Sequence, residues 1–248
     1  MIPITLGEEM NTVNKTSRVL GVAFLLQFIT SFSSGAFLKQ AWFVSGNISE
    51  TMLKVANNPW LMRTTILLDM LTALGVTFLG VMLFITLRKQ NEKMALTALG
   101  FYLLEAALLA VSRIEAFSLL RISQEYVAAG QPADLLLMGN LAFESMDFVG
   151  NTLHMLAFCL GEILFYFLLY KSRIVPAALS LWGLIATFPL LIGTLTQIFG
   201  YTISFIFYAP YVPFELVIAI WILVKGIKDG SVNQAVVGQR HLPDQALI

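Results

Sequence analysis

The chain is poor in cysteine, histidine and charge, and each shortage removes a class of function. Cys159 is the only cysteine among 248 residues, so no intrachain disulfide can form. In its apolar surroundings this thiol reads as a small buried side chain. The two histidines, His154 and His241, belong to no HExxH, and no paired-cysteine motif exists. A zinc site of ordinary composition is therefore not expected; a carboxylate arrangement with His154 is the one metal alternative left. No nucleotide-cradling glycine loop or GxSxG elbow occurs. Ser31, Ser33 and Ser34 have no neighbouring base and read as small helix-packing residues. Formal net charge is zero, against a nucleic-acid partner bound through its phosphates. No cofactor is expected.

Charged residues make up 12% of the chain and hydrophobic ones 58%, with a mean hydropathy of +0.80. Soluble domains carry about twice that charge. So little polar surface cannot cover a water-facing exterior, and the solvent is lipid. A helix crosses the bilayer in roughly 20 apolar residues. Six stretches meet that need: residues 19–38, 61–87, 94–119, 143–170, 176–199 and 210–224. Between the first two, residues 46–60 predict a short interfacial helix through Ile48, Met52, Leu53 and Val55. Residues 121–140 read as a long polar connection broken at Gly130 and Pro132. Pro176 suits the first turn of the fifth span. The expected fold is an all-α polytopic bundle of six transmembrane helices. Its parts are an N-terminal segment at 1–18, the membrane domain at 19–228 and a polar tail at 229–248.

Lysine and arginine placement sets the expected orientation. With cytoplasmic termini, the inner side holds Lys15, Arg18, Arg88, Lys89, Lys93, Lys171, Arg173, Lys225, Lys228 and Arg240. The outer side keeps Lys39, Lys54, Arg63 and Arg121, with Arg113 in or near the membrane: ten against four. That places the protein in the cell membrane as a multi-pass chain. A competing view takes Lys15, Arg18 and the apolar run after them as a signal peptide. The acidic lead of Glu8 and Glu9 weakens it. Asn14 and Asn47 open glycosylation triplets that matter only in a glycosylating secretory pathway.

Ionisable groups inside a span are costly and face the bundle interior or a cavity. The fourth span carries Glu144, Asp147, Asn151, His154 and Glu162 at spacings of three, four, three and eight, close to one helical face, with Tyr166 extending it. Asp69 in the second span, Glu105, Arg113 and Glu115 in the third and Glu215 in the sixth complete the candidate set. Counting the rise per residue gives two layers. Asp69, Arg113, Glu115, Asp147 and His154 lie outward; Glu105, Glu162 and Glu215 lie near the centre. Arg113 is expected to pair with Asp69 or Asp147, as a clamp between helices or as the mouth of a polar cavity. For the fourth-span stripe, one alternative places Glu144 and Asp147 among headgroups and makes His154 an interhelical hydrogen-bonding residue. A central glutamate without a cation serves either as a hydrogen-bond donor or as a proton-relay member.

Three blocks carry a resemblance: Lys15-Thr-Ser-Arg-Val-Leu-Gly, Leu99-Gly-Phe-Tyr-Leu-Leu-Glu-Ala-Ala-Leu-Leu, and Leu160-Gly-Glu-Ile-Leu-Phe-Tyr-Phe-Leu-Leu-Tyr-Lys-Ser-Arg-Ile-Val-Pro continuing to Leu181-Trp-Gly-Leu-Ile. Across about residues 15–228 the chain resembles bacterial membrane proteins grouped as domain of unknown function 4386. That resemblance implies a multi-helix membrane fold and no activity, cofactor or catalytic residue. From the residues themselves, the expected function is binding or passage of a small solute, proton or lipid headgroup along an inward polar face. A membrane-embedded enzyme using Glu or Asp with His154, and a non-catalytic assembly partner, are the alternatives. Membrane lipids are the expected surroundings, and association between copies stays open.

Overall fold

A computed structural model describes the backbone of residues 6–227, all of it helices and their connections. The tail at 229–248, with Arg240 and His241, and also Lys228, lies outside the described residues. In chain order the α-helices are α1 (Leu6–Phe32), α2 (Lys39–Trp42), α3 (Ile48–Asn57), α4 (Pro59–Leu87), α5 (Glu92–Ala128), α6 (Ala133–Asp147), α7 (His154–Ser172), α8 (Ala177–Ile198) and α9 (Tyr211–Lys225). Two π-helical stretches, Ser33–Leu38 and Phe148–Leu153, join α1 to α2 and α6 to α7 without a break.

Five runs are long and apolar enough to cross a membrane: Ser17–Trp42, Pro59–Leu87, Glu92–Ala128, Ala133–Ser172 and Ala177–Ile198. The expected sixth, α9, is a helix of only 15 residues. It covers about 22 Å, against about 30 Å of hydrocarbon. The chain is thus a multi-pass membrane protein. Contacts run from α1 to α4, α5, α7, α8, α9 and back to α1, closing a ring of six helices. α9 runs antiparallel to α1, with the Ile227 amide donating to the Ser17 hydroxyl. Leucine, isoleucine and phenylalanine side chains such as Leu26, Leu67, Ile114 and Ile185 point outward. In lipid this exterior costs nothing, and packing and polar contacts hold the helices together instead. The threonines of α4 are self-satisfied within the helix: Thr65, Thr72, Thr77 and Thr86 each donate to the carbonyl four residues back.

The long polar connection expected at 121–140 is instead helical, and only residues 129–132 are irregular. The reason is a second apolar core. α3 lies across the end of α5 and the start of α6, burying Met52, Val55, Leu119, Leu120, Tyr126 and Met146 with Trp42. Polar residues alternate with these on the outer faces, so the helices gain packing by continuing. α5 has 37 residues. That is about 55 Å, well beyond the hydrocarbon, so α3 and these ends form a cap over one end of the bundle. The interfacial helix expected at 46–60 is α3, with the Glu50 amide donating to the Asn47 side chain at its start.

Candidate functional site

A cavity of about 540 Å³ opens beneath the cap and runs into the ring. Its wall takes Gln27 from α1, Ser34 and Gly35 from the first π-helical stretch, Lys39 from α2 and Asp69 from α4. Glu105 and Arg113 come from α5, Asp147 from α6, Asn151 from the second π-helical stretch and His154 from α7. Leu190 of α8 and Tyr211 and Glu215 of α9 complete it. Every helix of the ring contributes.

Backbone irregularities gather on this cavity. A π-helical turn holds an extra residue, which shifts the register of everything after it. Both π-helical stretches border the cavity, each with a glycine on its wall, Gly35 and Gly150. Pro189 breaks the hydrogen-bond ladder of α8 one residue before Leu190. The largely irregular segment 199–210 brings Tyr208 to the wall before α9 begins.

The mouth is a layer of paired ions. Lys39 Nζ donates to Asp147 Oδ1 at 2.8 Å, tying the residue after one π-helical stretch to the residue before the other. The Asn151 side chain donates to the same carboxylate. Beside them Arg113 Nη1 bonds Asp69 Oδ2, and the Ser34 hydroxyl also hydrogen-bonds Asp69. Arg113 rests on the Ser112 hydroxyl, which accepts from Nη2 at 2.8 Å. Gly150 makes this fit possible, since a Cβ there would stand 2.5 Å from Arg113 Nη2 and 2.7 Å from Ser112 Oγ. His154 borders the same space, its buried Nδ1 without a hydrogen-bond partner.

Deeper in, acids stand without bases. Glu105 lies within electrostatic reach of both Glu162 and Glu215. Tyrosine and glutamine side chains surround them. Tyr102 donates to Glu162 Oε1 at 2.5 Å, and the Tyr166 and Tyr211 hydroxyls, 2.9 Å apart, sit beside the same carboxyl. Tyr102 reaches it through a slot between Gly80 and Gly161, where added Cβ atoms would stand 2.9 Å and 2.8 Å from the ring side chain. The Gln27 amide hydrogen-bonds Glu215. Glu105 Oε2, Glu162 Oε2 and Gln27 Oε1 are buried without partners.

Of the ten residues singled out from sequence, seven meet on this wall: Asp69, Glu105, Arg113, Asp147, Asn151, His154 and Glu215. Glu162 lies behind it among the tyrosines. Glu115 is partly exposed and off the wall, and Glu144 is exposed, accepting from Asn140 at 2.8 Å. The fourth-span stripe thus holds together from Asp147 through Asn151 to His154, across the π-helical turn, and loses Glu144 and Glu162 at its two ends. Of the two partners considered for Arg113, Asp69 holds it and Asp147 binds Lys39. Lys39, Gln27, Tyr102 and Tyr211 were not foreseen, although Gln27 is a lone amide in an apolar run. Ser34, read as a packing residue, also touches Asp69. Among the described residues no group of three or more His, Cys, Asp or Glu is placed to hold a metal ion.

No curated protein and no solved structure matches the chain. One family model does, over residues 19–226, which takes in the ring, the cap and the whole cavity wall. The chain belongs to the family described as a domain of unknown function (DUF4386).

Proposed function

We propose that this protein binds or passes a small solute through the cavity, which opens to the outer face of the cell membrane beneath the cap. The carrying observation is a cavity wall that takes polar side chains from five of the six ring helices and is bordered by two π-helical stretches. Backbone irregularity at membrane depth is tolerated where it lines a water-filled space. Interrupted helices around a central site are the pattern of secondary transporters. The volume falls within the range of small-molecule sites, about 300–1,000 Å³. In this reading Lys39 and Asp147 form a latch across the mouth, and moving either π-helical stretch opens it.

The orientation follows from the same lysine and arginine bias: the cap faces outward, and the loops holding Gln90 and Lys171 face the cytoplasm. In a Cys159→Ser background, cysteines at Gln131 and Gln90 then label oppositely with an impermeant thiol reagent in intact cells. Equal labelling of both rejects the orientation. For the cavity, cysteines at Asn151 and His154 are expected to label from outside, while Ala157, buried in packing on the next turn, stays protected. Protection at all three makes this helix a packing element and removes the solute reading.

A further inference from the structure

We propose that the deep end of the cavity binds the head of an organic cation, an ammonium group carrying apolar substituents, between Glu105, Glu215 and Gln27. The inference rests on the solute reading above and names the chemical class of the solute. Its starting point is a charge count along the wall. The two cations of the mouth are already committed, Lys39 to Asp147 and Arg113 to Asp69. Among the described residues, Glu105 and Glu215 therefore face the deep space with no protein cation beside them, and Glu162 stands behind them with none either. Carboxyls in so dry a place ionise only with a counter-charge beside them, which an entering cation would bring.

A second observation is independent of the acids. Gln27, 6% exposed, lines the cavity, and its buried Oε1 has no donor among the described residues. Glu105, 3% exposed, likewise leaves Oε2 without a donor. Unpartnered acceptors of this kind are rare in folded proteins, and each can take a donor from a bound molecule. An ammonium N–H serves both, and a quaternary head satisfies the charge alone.

The walls decide between an organic and a bare inorganic ion. Phe28, Leu109, Phe158 and Leu190 line the cavity around these acceptors. Such surfaces offer a hydrated metal ion nothing, while they cover alkyl or aryl substituents and place ring faces near a cationic head. The described carboxyls also do not converge on any metal-sized point. The cavity, about 540 Å³, leaves room for a body as well as a head.

The test uses the full chain purified in detergent and titrated with benzyltrimethylammonium, a permanent cation with an aryl body. N-benzylacetamide is the neutral probe of similar size, and sodium chloride the inorganic one. Saturable binding of benzyltrimethylammonium alone is expected, weakened at least about tenfold by Glu105→Gln with Glu215→Gln. Lys54→Met, on the cap, is expected to leave it unchanged. Should the double variant fail to fold, Gln27→Leu keeps both carboxyls and tests the site with a primary amine, benzylamine, whose binding is expected to weaken several-fold. Equal binding of the neutral probe, competition by sodium at equal concentration, or no saturable cation binding each overturns the proposal. Asn151→Cys labelling separates the two levels: labelling without cation binding rejects the ligand class alone, and a protected Asn151→Cys rejects the cavity reading with it.

Discussion

The mouth and the floor of the cavity solve the same problem in different ways. Both place ionisable side chains on the inner wall of a membrane-spanning bundle. At the mouth each acid has its own base: Asp69 with Arg113, Asp147 with Lys39. On the floor Glu105, Glu162 and Glu215 have only tyrosine and glutamine donors, and two of their oxygens have none. Paired ions close a structure on itself; unpaired acceptors leave it open to something else. On the proposed reading, the mouth holds the helices and the floor holds a ligand.

The comparison breaks first if the mouth pairs are dispensable. Arg113→Leu strands Asp69, whose side chain is only 15% exposed. Removing one partner of such a pair costs about 3–5 kcal/mol, and removing both costs less. The thermal midpoint in detergent is expected to fall further for Arg113→Leu than for Arg113→Leu with Asp69→Leu. Additive losses show that the two do not act as a pair.

A smaller effect sharpens the floor. Tyr102→Phe removes the one hydroxyl that donates to Glu162 at 2.5 Å. A buried acceptor left without its donor costs about 1–3 kcal/mol. Denaturation of the variant is expected to show that loss, and Glu162→Gln in the same chain is expected to recover part of it. Gly150→Ala acts at the mouth with a similar size, since its Cβ would meet the Arg113 guanidinium. Overpacking of this kind costs about 1–3 kcal/mol, and Ser112→Gly, which frees room, is expected to relieve it.

The smallest change is at the latch. Lys39 and Asp147 are 28% and 40% exposed, so solvent screens them. Lys39→Met is expected to shift stability by no more than about 1 kcal/mol. It is expected to raise the labelling rate of a cysteine at Asn151, because the tie across the mouth is gone. An unchanged rate with a large stability loss makes this pair a structural clamp instead.

How much of this the sequence carried depends on whether a signal is local. The apolar runs are local, so five of the six expected spans fall on the long helical runs, although the third extends nine residues past its expected end and the fourth starts ten residues before its expected start. The cap did not, because α3 and the α5 and α6 ends form one core through Met52, Leu120 and Met146, residues far apart in the chain. The acids were legible because charge in an apolar run is rare. Their grouping was legible only in part, since a uniform helical period across residues 144–166 conceals the π-helical turn at Phe148–Leu153. Asp147, Asn151 and His154 stay together across that turn, while Glu144, in α6 ahead of it, is exposed and Glu162, in α7 beyond it, lies behind the wall. Lys39 looked like a flanking charge, and only folding brings it to a residue 108 positions away.

The central claim is that the uncompensated floor is reached by the cavity whose mouth the ion pairs frame. Gln27 tests it most directly, because it lines the cavity, is itself buried, and holds an oxygen without a donor among the described residues. Gln27→Cys in the Cys159→Ser background is treated with a small impermeant thiol reagent from outside, beside Asn151→Cys at the mouth and Ala157→Cys in the packed helix. The account predicts reaction at Asn151→Cys, slower reaction at Gln27→Cys, and none at Ala157→Cys. Reaction at the mouth with complete protection at Gln27→Cys would contradict it, making the floor a dry core whose acids and tyrosines only hold helices together.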